Sequence, residues 1–454
     1  MKKFEFKYLL QNTGWKENMI LETDENGIIT SIYQNKNSSN SNDIAFPGFQ
    51  NAHSHAFQYA MAGLAEYHPT TKSADDFWSW RNAMYQLALQ IDPEDLEAIA
   101  SMLYAEMVRH GYTHVAEFHY LHHDKNGDAY ENIAEMGARL IQAAKNAGIN
   151  ITLVPIFYQK GGFGKDPLPD QKRFISSDID SYLKLYESSV NVTKNYSHSA
   201  IGMGIHSMRA VETNEIIALS NYRNGNTPFH IHVSEQLKEI EDCIHYLNAR
   251  PIEWLSNNIS LSEHYHLVHA THLIDKEIEA IAQSNANVVL CPSTEGNLGD
   301  GLFPLGKFLE LDGKWSIGTD SHVGLNPMEE IRILDYGQRL ITHRRNTFAN
   351  SESGDSGFNA FQTALLSGRK AMGNHNTNFF KKGEKFNAVV ASLDHPLMHT
   401  SKTDNLCNTI IYSSDLSMIK GTIVNGEFVV SNGNHINNEI SSNFRTTLEK
   451  MKCR

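Results

Sequence analysis

From about Val115 to Thr319 two kinds of segment alternate along the chain. Short runs rich in β-branched and aromatic residues cover Val115–His119, Ile151–Phe157, Ile201–His206, Phe229–Val233, His266–Ala270, Val288–Pro292 and Trp315–Thr319. Longer amphipathic stretches separate them. Pro93–His110 reads as a helix with Asp92 as its N-cap, and Asn132–Ala147 as a helix closed by Gly148. The apolar segment ending at His53 supplies one more strand and makes the set eight. Strand–helix alternation repeated in this way predicts an α/β fold, a (β/α)8 TIM-type barrel rather than an open sheet.

The flanks follow a different pattern. Residues 1–46 and about 384–435 carry short β signals joined by turns, among them Asp24-Glu25-Asn26-Gly27 and Val424-Asn425-Gly426-Glu427, where Asn-Gly suits a tight hairpin. They predict one small β domain built from both termini, beside a barrel spanning 47–383. Ile436–Arg454, the end of the 384–454 segment, reads as a polar helix or tail. Only Asn35–Asp43 approaches low complexity.

Charge then narrows the function. A formal net charge of -13 argues against nucleic acid or an anionic membrane as partner, because either needs a basic face. An anionic substrate would have to be held by arginines placed for it. The start, Met1-Lys2-Lys3-Phe4-Glu5, puts charges where a signal peptide would be apolar, and no apolar run approaches the ~20 residues that cross a bilayer. Cys243, Cys291, Cys407 and Cys453 are far apart with no Cys-x-x-Cys spacing, which fits free thiols and a cytoplasmic location.

The candidate chemistry lies at the strand ends. In Pro47-Gly48-Phe49-Gln50-Asn51-Ala52-His53-Ser54-His55 two histidines stand two residues apart, so a strand would aim both one way. In a chain with 23 histidines that pair alone means little. Barrel enzymes, however, place their chemistry at the C-terminal ends of the strands. There the fifth run gives His232 and Glu235, the sixth His269 and the eighth Asp320. His53, His55, His232 and Asp320 make a donor set for one divalent ion, Zn²⁺ first, with Fe²⁺ or Mn²⁺ as alternatives. Such an ion lowers the pKa of a bound water toward ~7, and His269, Glu235 and Asp320 stand as proton-transfer groups. The reading is metal-assisted hydrolysis. Other histidines read as structural: His230 lies one step deeper than His232, His322 supports Asp320, and His122 and His123 are neighbours that a strand would aim oppositely.

A His-x-His, a His-x-x-Glu, a His and an Asp on successive strand ends resemble the amidohydrolase superfamily, in its mononuclear deaminase branch. Binuclear members carry a carbamylated lysine on the fourth strand, and Ala200–His206 contains no lysine. Within that superfamily the chain resembles the formimidoylglutamate deiminases. The resemblance is carried by His53-Ser54-His55-Ala56-Phe57-Gln58, Phe77-Trp78-Ser79-Trp80-Arg81, Ala116–His123, His206-Ser207-Met208-Arg209, His232–Gln236, His269–His272 and Asn297–Gly301. Gly296 and Asn387 depart from it, where Ala and Asp are usual.

The resemblance implies that N-formimino-L-glutamate and water give N-formyl-L-glutamate and ammonia in histidine degradation, with a homodimer expected by analogy. A small-molecule substrate with two carboxylates and a formimino group would meet Arg81, Tyr120, His206 and Arg209, with Gln58 orienting the formimino group. Ordinary ion pairs with nearby acids are the other reading of the two arginines. Either His269 or Asp320 would take the first proton. Two further functions remain: deamination of a nucleobase or another amidine, and a non-catalytic metal-binding scaffold. Loops at Asp76–Arg81 and Gly161–Lys172 are candidates to close over substrate, the second through its glycines.

Overall fold

The structure is a computed structural model and describes residues 1–36, 41–66, 77–351, 353–399 and 402–451. Part of the Asn35–Asp43 segment, Asp76 and Cys453 lie outside the described residues. Four strands come first: β1 (Lys2–Gln11), β2 (Gly14–Thr23), β3 (Ile29–Gln34) and β4 (Asp43–Pro47). The barrel follows with β5 (Phe49–Ser54), β6 (Tyr112–His119), β7 (Asn150–Phe157), β8 (Ser199–Ile201) and β9 (Met203–Ser207). It is completed by β10 (Phe229–Val233), β11 (Tyr265–His269), β12 (Asn287–Leu290) and β13 (Lys314–Ile317). The chain ends with β14 (Ala388–Ser392), β15 (Ile419–Val424), β16 (Glu427–Ser431), β17 (Asn434–His435) and a helix over Glu439–Met451.

The central sheet is parallel throughout, in the order β13-β12-β11-β10-β9-β7-β6-β5, with β8 beside β7. Every residue of β10, β11 and β12 is buried, as expected of parallel strands covered on both faces. The sheet closes where Ser54 bridges Asp320, so the first and last strands meet. The fourth predicted strand is two pieces, β8 and β9, broken at Gly202. A Cβ there would lie 3.0 Å from Val154 Cγ2 and 3.3 Å from the Pro228 carbonyl oxygen, so a side chain would crowd both neighbours where the strand steps from β7 toward β10.

Between β5 and β6 run two α-helices, Phe77–Ala88 and Pro93–Arg109, and at the start of the second the N–H of Asp92 donates to the Asp95 carboxylate at 3.1 Å. The next is shorter than expected, Glu135–Ala147, because Asn132 accepts the N–H of Ala134 at 3.1 Å and forms a turn instead. Gly148 ends it with φ 70°.

The second sheet draws on both ends of the chain, in the order β17-β16-β15-β14-β4-β1-β2-β3. Asn425 and Gly426, at φ 52° and 78°, turn β15 into β16, the left-handed pair that a tight hairpin requires. Asp24 accepts the N–H groups of Asn26 and Ile28 and shapes the other expected turn. Asn387 ties this sheet to the barrel, its Oδ1 accepting the N–H of Asn425 at 2.8 Å and an Nδ2–H of Asn150 at 3.4 Å. The C-terminal segment is helical and packs on Pro93–Arg109, where Lys450 reaches Asp92 and Asp95 at 3.2 and 3.0 Å. Among the described residues no helix is long and apolar enough to cross a membrane. Cys243, Cys291 and Cys407 are free and buried.

The two expected turns abut: at Gly27, with φ +73°, a Cβ would fall 1.7 Å from the Asn425 carbonyl oxygen. Gly27→Ala should therefore destabilise the fold by about 2 kcal/mol or more, from left-handed strain and the clash together. Gly14→Ala, equally left-handed at φ +90° but with nothing within 4 Å, should cost visibly less in a denaturant melt.

Candidate metal centre and substrate pocket

Backbone strain is concentrated where the strands end. Ser234, His269, Ala270, Asp320 and His322 all have positive φ, between 43° and 67°. Each is a non-glycine residue in the left-handed region, at a cost on the order of 1–3 kcal/mol apiece. Hydrogen bonds hold these turns in place: Ala270 N–H donates to Val233 and Val268 at 3.0 Å, and Asp320 N–H to His53 at 3.1 Å. The turns swing the terminal side chains inward over the barrel mouth.

There His53, His55 and His232 bring their Nε2 atoms to one point. The three separations are 3.1 Å (His53 to His55), 3.3 Å (His55 to His232) and 3.0 Å (His232 to His53). Asp320 Oδ1 completes the group, 3.5 Å from His53 and 3.2 Å from His55. A tetrahedral ion with bonds of about 2.0–2.1 Å sets its ligands about 3.3–3.4 Å apart, so this group fits one. The tautomers agree. His55 Nδ1–H donates to the Phe118 carbonyl and His232 Nδ1–H to that of His206, each at 2.9 Å, leaving the Nε2 lone pairs free.

Burial, with the neighbouring His55, pushes the His53 imidazole down to about 3, and burial likewise holds His55 and His232 below their ordinary value. Converging neutral lone pairs repel unless a cation lies between them. Asp320 stays ionised: burial opposes it, but the imidazoles of His53, His55 and His269 hold its carboxyl below the usual range.

The residues expected to transfer protons sit alongside. His269 Nδ1–H donates to Glu295 at 3.2 Å, and its Nε2 lies 3.6 Å from Asp320 Oδ2 and 3.8 Å from Glu235 Oε1. Burial works against the imidazolium, but Glu235, Glu295 and Asp320 together lift it to about 10. Burial lifts Glu235 to about 7, partly offset by His269 and Arg209. A carboxyl near neutrality can both give and take a proton.

Beyond these groups lie the residues expected to meet substrate. Gln58 donates to the Tyr120 hydroxyl at 3.1 Å, and its own Oε1 is buried without a partner. The His206 ring packs between Tyr158 at 4.5 Å and Tyr120 at 5.5 Å. Arg81 lies over Trp78 and Tyr85, 4.5 and 5.4 Å from the ring centroids. Among the described residues Arg81 has no acidic partner. Arg209 is buried with Nη1 3.5 Å from Glu239, and that nitrogen makes no hydrogen bond. The ion-pair reading thus holds loosely for Arg209 and not for Arg81.

Comparison with known proteins fits this arrangement. The amidohydrolase family profile matches residues 44–429. Formimidoylglutamate deiminase of Pseudomonas aeruginosa is 38% identical over 433 residues, 94% of each chain. This chain belongs to the amidohydrolase family. A crystallised amidohydrolase from Brucella melitensis superposes with a TM-score of 0.92 at 36% identity, covering all of both chains. A zinc-bound adenosine deaminase from Xanthomonas campestris shares the fold, with a TM-score of 0.79 at 17% identity over 100% of this chain and 98% of its own.

Several residues of this amidohydrolase site escaped the sequence reading. Glu117, on β6, accepts the Ser54 hydroxyl and the N–H of Ala56, both at 2.7 Å, and so locks the turn that carries His55. Gln171 donates to Tyr85 and Tyr158 at 3.0 and 2.8 Å, linking the Gly161–Lys172 loop to the ring on which Arg81 lies. His322 Nε2 accepts the N–H of His55 at 3.3 Å, so it braces that turn rather than bonding the Asp320 carboxylate. His230 donates to Ala371, His122 to Ile156 and His123 to Ile175, all backbone carbonyls.

Glu295 was also missed, and it fixes the His269 ring. Glu295→Gln should leave metal content unchanged but lower kcat by roughly 10–100-fold, the range typical of groups that orient a ligand or a base. Metal analysis beside steady-state kinetics checks both halves.

Proposed function

We propose that the protein is a metal-dependent formimidoylglutamate deiminase, converting N-formimino-L-glutamate and water to N-formyl-L-glutamate and ammonia in histidine degradation. The observation that carries this reading is the pairing of Arg81 and Arg209 with the buried His53–His55–His232–Asp320 group, in a chain of net charge -13. A guanidinium held without a tight acidic partner is suited to a carboxylate from outside the chain. The Pseudomonas enzyme of that name, alike over 94% of this chain, supports the same substrate.

His53, His55, His232 and Asp320 would hold the ion, with Zn²⁺ best suited to three imidazoles and a carboxylate and Fe²⁺ or Mn²⁺ as alternatives. When bound, it supplies Lewis acidity and a more acidic water. Arg81 and Arg209, with Tyr120 and His206, clamp the two carboxylates and so fix the formimino carbon over the donor group. The unpartnered Gln58 Oε1 accepts an N–H from the formimino end. As water adds to that carbon, its proton passes to His269 or Asp320, whose facing atoms are 3.6 Å apart; His269 takes it as the neutral imidazole, the form that a cation held by Asp320 would favour over the imidazolium. Glu235 delivers a proton to the departing nitrogen. The C–N bond then breaks, ammonia leaves, and the oxygen remains as the N-formyl carbonyl. The reading carries a cytoplasmic homodimer with it, the location supported by the three buried free thiols.

Purified enzyme loaded with Zn²⁺ should release ammonia from N-formimino-L-glutamate and not from adenosine. The opposite preference would replace this substrate with a nucleobase, and no turnover of either would leave a scaffold. A chelator should abolish the activity and added Zn²⁺ restore it. Arg209→Gln should raise KM about 10–100-fold, since a charge-assisted contact contributes about 1.5–3 kcal/mol. His269→Asn should retain the metal but lose about 10²–10⁴ in kcat. Near-normal turnover by that variant would remove His269 from the reaction.

A further inference from the structure

A second group of metal-type ligands shares Asp320 from its other side. Cys291 follows β12, and its thiol is completely buried. Its Sγ, a ring nitrogen of His269 and a carboxylate oxygen of Asp320 all lie within 4.8 Å of one another. Asp320 can serve two positions at once: Oδ1 faces His53 and His55, while Oδ2 faces His269 Nε2 at 3.6 Å. Glu295 organises this second group. It accepts Nδ1–H of His269 at 3.2 Å, which leaves Nε2 as the available donor, and the backbone N–H of Cys291 at 2.9 Å. Gly318 makes room for the sulfur, since a Cβ there would stand 2.9 Å from Sγ and 2.7 Å from the Cβ of His53. Glu235 Oε1 lies 3.8 Å from the same Nε2, beside the group.

We propose that Cys291, His269 and Asp320 form a second, weaker metal site, which takes a thiophilic divalent ion once the first site is filled and thereby inhibits the enzyme. The inference rests on the proposed occupation of the first site. Binding turns the thiol into a thiolate ligand and the His269 imidazolium into a neutral imidazole bound through Nε2, releasing two protons to solvent, while the carboxylate binds as it stands. Sulfur selects Zn²⁺, Cd²⁺ or Co²⁺ over Mg²⁺ or Ca²⁺. Two ions bridged by one carboxylate repel, so the second binds less tightly than the first. Inhibition follows from the ligands used, because the second ion occupies His269 Nε2 and crowds Glu235, the groups that move protons in the proposed reaction.

The test uses the full-length enzyme carrying one equivalent of Zn²⁺, titrated with more Zn²⁺ or with Co²⁺. A second equivalent should bind as activity falls. With Co²⁺ it should bring a near-ultraviolet thiolate-to-cobalt charge-transfer band, which the sulfur-free first site cannot give. Cys291→Ala should keep full activity at one equivalent, lose the band and weaken the second equivalent by at least about 10-fold, a loss seen even for supporting groups. Cys291→Ser serves the same purpose should the alanine variant fold poorly. No band, or inhibition unchanged in both variants, overturns the second site. Absence of ammonia release at one equivalent would instead strike the proposed function, since the band reports on sulfur ligation regardless of turnover.

Discussion

The whole site hangs on the seam between the first and last barrel strands. The His53 carbonyl accepts the N–H groups of both Thr319 and Asp320, at 3.0 and 3.1 Å, and the N–H of His55 returns to the Asp320 carbonyl at 3.3 Å. Behind it the Asn51 side chain pairs doubly with Thr319, donating to its hydroxyl at 2.7 Å and accepting its N–H at 3.1 Å. These bonds join residues more than half the chain apart in sequence. Without them His53 and His55 would sit on one sheet edge and Asp320 on the other, and no shared ion could be held. The left-handed turns at Asp320 and His322 persist because the closed ring of strands leaves them no relaxed alternative.

Around that seam the electrostatics are unusual for a barrel interior. Glu117, Glu235, Glu239, Glu295, Asp300 and Asp320 are all buried within or just behind the mouth. Burial pushes Asp300 up to about 8 and Glu330 to about the same, so part of this acidity is carried as neutral carboxyls. Carboxylates gathered in this way repel a dianion. In the proposed reading a divalent ion at one end and two guanidinium groups at the other would reverse the local sign and divide the site into an end that reacts and an end that recognises. In a chain of net charge -13 that reversal is local, so anions unable to reach the arginines gain nothing from it.

The parts legible in the sequence were those governed by short period and order. Strand runs, the Asn425-Gly426 turn and the sequence of histidines on successive strand ends depend on neighbours along the chain, and the fold follows them. Glu117 and Glu295 were not legible. Each acts on a residue of another strand, and nothing local distinguishes such a carboxylate from an ordinary buried acid. The break at Gly202 is similar: the sequence shows a glycine inside a strand, but the crowding at that step comes from Val154 and Pro228. The pairing of Arg209 with Glu239, and the contrast with Arg81 on its aromatic rings, likewise required three dimensions.

The sheet built from both termini also bears on the order of assembly. β4 lies between β1 and β14, and the entire barrel is synthesised between those two neighbours of its own. β1 and β2 can pair at once as a hairpin, but one edge of β4 stays open until the last strands emerge. A nascent chain therefore carries an unpaired, largely apolar edge through most of its synthesis. Docking of β14, with Asn387 and Asn425 reaching the barrel through Asn150, can thus come only after the barrel has been synthesised.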